Sequence, residues 1–231
     1  MEVTFIDMEG NTPEELRPKP ARNATPGWYR DTPAWIRDTD GLPEVEKRDL
    51  MTVKKCMPLL DSLTLGYIIP TPSGLEVHRT SEGVRLHWPS RQTVDIHIVG
   101  QTGEYPGHNR SDPMPKWMSN WGVRTPKGYS CLFVSPFHHD LPFRTLAGVV
   151  DTDTYFDAVN FPFLIDPDFS GVIPAGTPMV QVIPFRRDEF THTIVEHSEM
   201  RPDLVTRVRN SMNSTFRRGY QDRFWTRKNY R

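Results

Sequence analysis

Gly148-Val149-Val150-Asp151-Thr152-Asp153-Thr154-Tyr155 is followed closely by Ala158-Val159-Asn160-Phe161-Pro162-Phe163-Leu164-Ile165. After a polar turn over 166–171 comes Val172-Ile173-Pro174-Ala175-Gly176-Thr177-Pro178-Met179-Val180-Gln181-Val182-Ile183-Pro184-Phe185. These are three short, apolar, strand-like runs, separated by acid-rich and Gly/Pro turns in which a helix cannot continue. An aspartate closes the first run and an aromatic follows within a tight turn. The spacing predicts a carboxylate beside a flat apolar surface at the mouth of a β-structure.

Working outward, Tyr129-Ser130-Cys131-Leu132-Phe133-Val134 reads as a buried strand after a turn at 125–128. Residues 75–80 and 84–88, joined by Ser81-Glu82-Gly83, form the clearest hairpin pattern. Tyr67-Ile68-Ile69-Pro70 reads as a strand, and 93–99 alternates with Asp95 and His97 on one face. Residues 101–121, with Gly103, Pro106, Gly107, Pro113 and Pro115, read as a long loop, and loops of that length usually function or dock. Residues 50–65 carry helical spacing interrupted by Pro58. The expected fold is mainly β. Its body is an antiparallel barrel-like structure of jelly-roll or β-clip type over 50–187.

Two flanks complete the expected organisation. Residues 1–49 form a proline-rich, aromatic amino-terminal arm in which only Val3-Thr4-Phe5-Ile6 reads as a strand. Trp28, Tyr29, Trp35 and Ile36 are too apolar for a disordered tail and are expected to cover another surface. Residues 188–231 form a basic, aromatic tail with a helix from Pro202 to about Arg218. From Arg201 onward nine Arg/Lys face two Asp, an excess of seven positive charges. Such a tail can clamp nucleic acid, or its aromatics can anchor it to the protein while its arginines stay in water.

Composition bounds the function. Of 231 residues 36% are hydrophobic and 25% charged, enough for one real core. The 22 prolines favour short strands and turns over long helices. A net charge of −1 gives no global field toward nucleic acid or membrane. Two cysteines are too few for a zinc site or disulfide scaffold. No signal-peptide pattern or apolar run of spanning length is present, so a cytoplasmic protein without a membrane partner is expected.

The quoted stretch resembles motifs three and four of the dUTPase and dCTP deaminase superfamily, over about 125–187. The matching residues are Gly148-Val149-Val150-Asp151…Tyr155 and Pro174-Ala175-Gly176-Thr177-Pro178-Met179-Val180-Gln181. The chain as a whole also resembles a family encoded in phage and bacterial genomes, a likeness that assigns no activity. The superfamily resemblance implies a hairpin-forming motif pair, a water-activating Asp151, and an aromatic under the deoxyribose, Tyr155 or Phe156. It also implies a trimer with sites between subunits, and Mg²⁺ if nucleotides are the substrate. A phage protein of this kind would act in the host cytoplasm or in the virion.

The phosphate-binding parts of the superfamily are missing. Phe133-Val134-Ser135-Pro136-Phe137-His138-His139-Asp140 has no Arg-Ser, and the tail offers only Arg217-Arg218-Gly219 instead of a Gly-rich arginine segment. No glutamate after Asp157 matches the deaminase catalytic residue.

Asp151 is therefore the candidate general base, or else a turn aspartate. Tyr155 and Phe156 are candidate sugar platforms. Gln181 is either a polar contact at the pocket or an outward strand residue. Arg144, Arg186 or tail arginines would have to hold phosphates. His138-His139-Asp140 suggests a metal only superficially, because adjacent strand residues point to opposite faces. Two classes follow: an oligomeric binding or assembly protein that needs no cofactor, or a nucleotide hydrolase or deaminase using Asp151. Partners could be copies of itself, a nucleotide or other small ligand, or nucleic acid at the tail.

Overall fold

The computed structural model describes residues 1–37, 49–81, 83–89, 93–98, 100–108, 112–196, 202–213 and 219–231. Its strands are β1 (Thr4–Asp7), β2 (Lys19–Pro20), β3 (Trp35–Arg37), β4 (Asp49–Met51), β5 (Tyr67–Pro70), β6 (Leu75–Thr80), β7 (Gly83–His87) and β8 (Val94–Ile96). There follow β9 (Pro115–Arg124), β10 (Tyr129–Val134), β11 (Phe143–Thr145), β12 (Gly148–Val150), β13 (Ala158–Ile165), β14 (Gly171–Ile173) and β15 (Pro178–Arg186). The α-helices are α1 (Gly27–Asp31), α2 (Met57–Thr64), α3 (Pro202–Asn213) and α4 (Gly219–Arg223). The protein is mainly β, and every strand pair is antiparallel.

The chain divides into two units. The first comprises 1–24, 64–187 and Tyr230. It holds a sheet ordered β1-β9-β13-β11, with β8 also on β9, a second ordered β12-β10-β15-β5-β2, and a third ordered β14-β6-β7. All three contribute to one core. Trp117 stacks on Phe163 with ring centroids 4.2 Å apart, and Phe143 meets both edge-on. Phe133 of the second sheet lies 5.2 Å from Phe161 of the first, and Leu75, Val77 and Ile173 come from the third. Alternation dictates this: on β9 Pro115, Trp117, Ser119 and Trp121 are buried while Lys116, Met118 and Asn120 are not.

The second unit comprises 25–63, 188–229 and Arg231. The amino-terminal residues to 24 thus belong with the β-body, because β1 and β2 pair with β9 and β5. In the second unit Lys54 Nζ donates to Tyr29 O and Arg30 O, closing the carboxyl end of α1, and lies 4.5 Å over the Tyr29 ring. Trp225 Nε1 and Lys228 Nζ both donate to Asp61 of α2, which anchors the last residues. Phe190 and Ile194 are 84% and 86% exposed.

Three sequence expectations are corrected. The loop expected over 101–121 ends at Pro115, where β9, the longest strand among the described residues, begins; Pro115 opens the strand, a position where its missing N–H costs least. The helix expected over 50–65 is only α2. Residues 49–51 pair with β3, 53–55 form a 3₁₀ turn, and Pro58 sits in the first turn of α2, where proline is tolerated. The motif pair does not form one hairpin: β12 and β15 lie on opposite sides of β10, and β13 between them in sequence joins the other sheet. Glu82 of the expected turn, Val99 and 214–218 of the expected helix lie outside the described residues.

Candidate functional site

Asp151 follows β12 directly. The register places Val150 opposite Cys131, so the next pair brings Asp151 beside Ser130 of β10. Ser130 Oγ donates to Asp151 Oδ1 at 2.6 Å. The turn after β12 is closed on the Asp151 carbonyl, which accepts from Thr154 N at 3.0 Å and Tyr155 N at 2.9 Å. Thr152 is fully buried and ties the turn inward through its hydroxyl contact with Thr125, 2.7 Å. The Asp151 side chain is thus not spent in a turn of its own, as the alternative reading of the sequence had it. It points to a neighbouring strand and to an arginine.

That arginine is Arg187, immediately after β15. The two N–H groups of its Nη1 are shared among four acceptors, Asp151 Oδ1 (3.1 Å), Ser130 Oγ (2.9 Å), Tyr129 O (3.1 Å) and Asp153 Oδ1 (2.9 Å). Its Nη2 donates to Asp153 Oδ2, which also accepts from Gly128 N at 2.8 Å. The Asp153 side chain is 4% exposed and that of Asp151 62%. The Arg187 guanidinium, then the Gly128 amide, hold the Asp153 carboxyl down at about 2, and Arg187 is raised in turn by Asp153. Sequence reading missed Arg187, Ser130 and Asp153. The consecutive Arg186-Arg187 was visible, but the strand's end hides which of them turns toward β12.

Tyr155 and Phe156 follow at the turn, 51% and 48% exposed, so Asp151 has exposed aromatic surface next to it in the chain. Gly122 of β9 sets the position of Phe156: a Cβ there would stand 2.3 Å from the Phe156 carbonyl oxygen.

Gln181 and Arg144 are elsewhere. Gln181 pairs in register with Val134, four residues along β10 from Ser130, or about 13 Å at strand rise. It is 1% exposed; its Nε2 donates to Leu65 O at 2.7 Å and its Oε1 accepts from Phe137 N at 3.0 Å. Arg144 lies on β11 opposite Leu164, in the other sheet. It borders a groove whose main cavity, about 650 Å³, is walled by Val84, Ile96, His97, His108, Asp112 and Met114 and does not include Asp151. Among the described residues no group of three or more His, Cys, Asp or Glu is placed to hold a metal ion. Nor is any helix among them long and apolar enough to cross a membrane.

No family model and no curated protein matches the chain. Among solved structures it is similar to a dUTPase from phage phi11 of S. aureus, at 11% identity and a TM-score of 0.34, over 85% of this chain and 97% of that one. It is also similar to the D95N mutant of the phage phi11 dUTPase, a structure described for its coordination of a structural Mg(II) ion. There the identity is 12% and the TM-score 0.34, over 85% and 98% of the two chains.

Proposed function

We propose that this chain is an oligomeric binding or assembly protein on a dUTPase-like body, in which Asp151 serves as a structural counter-ion and not as a water-activating base. The observation that supports this is the commitment of Arg187. Phosphoryl chemistry needs cations free to neutralise developing charge. The one cation bonded to Asp151 among the described residues donates to two carboxylates, a hydroxyl and a carbonyl of its own protein. Two aspartates against one arginine leave the cluster with net negative charge, which repels a triphosphate. Assembly as a trimer, in a host cytoplasm or a virion, belongs to the same reading.

The alternative, a nucleotide hydrolase or deaminase with Asp151 as base, Tyr155 or Phe156 under the sugar and Mg²⁺ arriving with the substrate, is favoured by one feature. The Asp151 carboxylate remains open to solvent beside an exposed aromatic. Incubating dUTP and dCTP with Mg²⁺ and either the wild type or Asp151→Asn, followed by chromatography, separates the two. Both nucleotides are expected to survive with either protein. Wild-type turnover that vanishes in Asp151→Asn refutes the proposal. Sedimentation tests the assembly: a single species at the chain mass of 26.7 kDa would refute oligomerisation.

A further inference from the structure

The groove that ends at Arg144 is independent of the Asp151 cluster. Its main cavity of about 650 Å³ shares Val84, His108, Asp112 and Pro113 with a second of about 160 Å³. The second shares Gly107, Leu164, Ile165 and Pro167 with a third of about 180 Å³, and the third is bounded by Arg144. The three therefore adjoin in a row, the second lying between the other two. Gly107, at φ +80°, contributes bare backbone to it; a Cβ there would stand 3.8 Å from Arg144 Nη2.

The walls are mostly apolar, and the polar groups divide into balanced and unbalanced ones. Asp112 faces Arg79 Nη1 at 3.6 Å, while Arg79 Nε and Nη2 donate to Phe169 O and Asp166 O. That pair neutralises itself within the protein. His97 Nδ1 is 3.1 Å from Met114 O, a carbonyl that can only accept, so Nδ1 carries a proton and donates it there. Arg144 stands opposite Leu164 on an exposed strand position, with no hydrogen-bond or ion-pair partner among the described residues; Asp166, whose carboxylate Oδ1 accepts from Asp168 N at 3.0 Å, borders the same third cavity. A guanidinium at one end of a mainly apolar groove is the usual recognition element for a carboxylate or phosphate monoester on an apolar body.

We propose that the groove binds an elongated amphipathic anion, its acid group on Arg144 and its apolar body lying over Leu164, Pro113 and Val84 toward Ile96 and Met114. His108, which lines the first two cavities, would flank the body; of the two carboxylates along the groove, Asp112 is paired with Arg79, and Asp166 at the Arg144 end accepts from the Asp168 amide. Neither nucleotide turnover nor its absence at Asp151 bears on this site.

The test is calorimetric titration of the full chain with decanoate, decanol, decylamine and inorganic phosphate, each alone. Decanoate is expected to bind one to one, about tenfold tighter than decanol, the worth of one charge-assisted contact at an open site. Decylamine should bind no better than decanol, and phosphate should not bind measurably at millimolar concentration. Arg144→Gln, a change at an exposed position, should lower decanoate affinity about tenfold, to that of decanol, and leave decanol unchanged. Val84→Trp should weaken both by filling the shared wall of the first two cavities. Absence of decanoate binding at millimolar concentration would overturn the proposal. So would equal affinity for decanol or decylamine, phosphate binding as tight as decanoate, or unchanged decanoate affinity in Arg144→Gln.

Discussion

Replacing Gln181 by leucine removes two hydrogen bonds while keeping the side chain's approximate volume. Leu65 O loses a donor at 2.7 Å and Phe137 N loses an acceptor at 3.0 Å, at a side chain only 1% exposed. Each backbone group left unpaired away from water costs about 1–3 kcal/mol. Against this, burying a leucine in place of an amide returns up to about 2 kcal/mol. The net expectation is a loss of about 2 kcal/mol, which for a domain of this size lowers Tm by about 4–8 °C. Differential scanning calorimetry reads the shift, and amide hydrogen exchange reads its cause. The Phe137 amide should lose protection while amides at the centre of β10 keep theirs. Gln181→Glu sharpens the test. At neutral pH its carboxylate can still accept from Phe137 N but faces the Leu65 carbonyl with no proton to share. Its deficit should shrink as acidification restores a donor. A Tm unchanged within about 1 °C, with Phe137 still protected in Gln181→Leu, would refute the assignment of Gln181 as the clamp between 65 and 137.

Other outcomes are expected. Asp153 has a folded pKa of about 2, below its ordinary value of 3.8, so its stabilising contribution is complete above about pH 4 and disappears as pH falls toward 2. A Tm series from pH 5 to 2 should fall less steeply in Asp153→Asn than in the wild type, and equal slopes would count against the Arg187 clamp. Burial, and then His138 beside it, lower the His139 pKa, so the folded state prefers it neutral. Stability from this residue is present above about pH 6.5 and lost below, and His139→Gln should remove that segment of the pH profile. Native thiol titration should find Cys56 reactive and Cys131 silent, since burial raises the Cys131 thiol and closes it to reagent. Gly66→Ala should destabilise the second sheet severely, because at φ +69° its Cβ would lie 2.0 Å from Val182 O; normal urea unfolding would contradict this.

How much was legible depended on whether local pattern or distant pairing decided the outcome. Period-two alternation and Gly/Pro punctuation sufficed for β5, β6, β7, β10 and β13, for the mainly β class and for the position of Asp151 at a strand end, because each follows from one residue and its near neighbours. The strand β9 escaped since Pro113 and Pro115 look like loop signals, and only pairing with β1, β8 and β13 makes Pro115 a strand opening. At the site, the Asp151 turn was readable but its partners were not. Ser130 and Arg187 are 21 and 36 residues away and arrive through the common neighbour β10. The same neighbour separates Gln181 from Asp151, which adjacency in a motif pair had suggested would meet. Sequence alone determined the strand-forming runs, the turns and the kinds of side chain available. Which carboxylate meets which cation, and whether an amide faces a ligand or a buried carbonyl, was decided by register and sheet order, because those choices minimise unpaired polar groups across strands far apart in the chain.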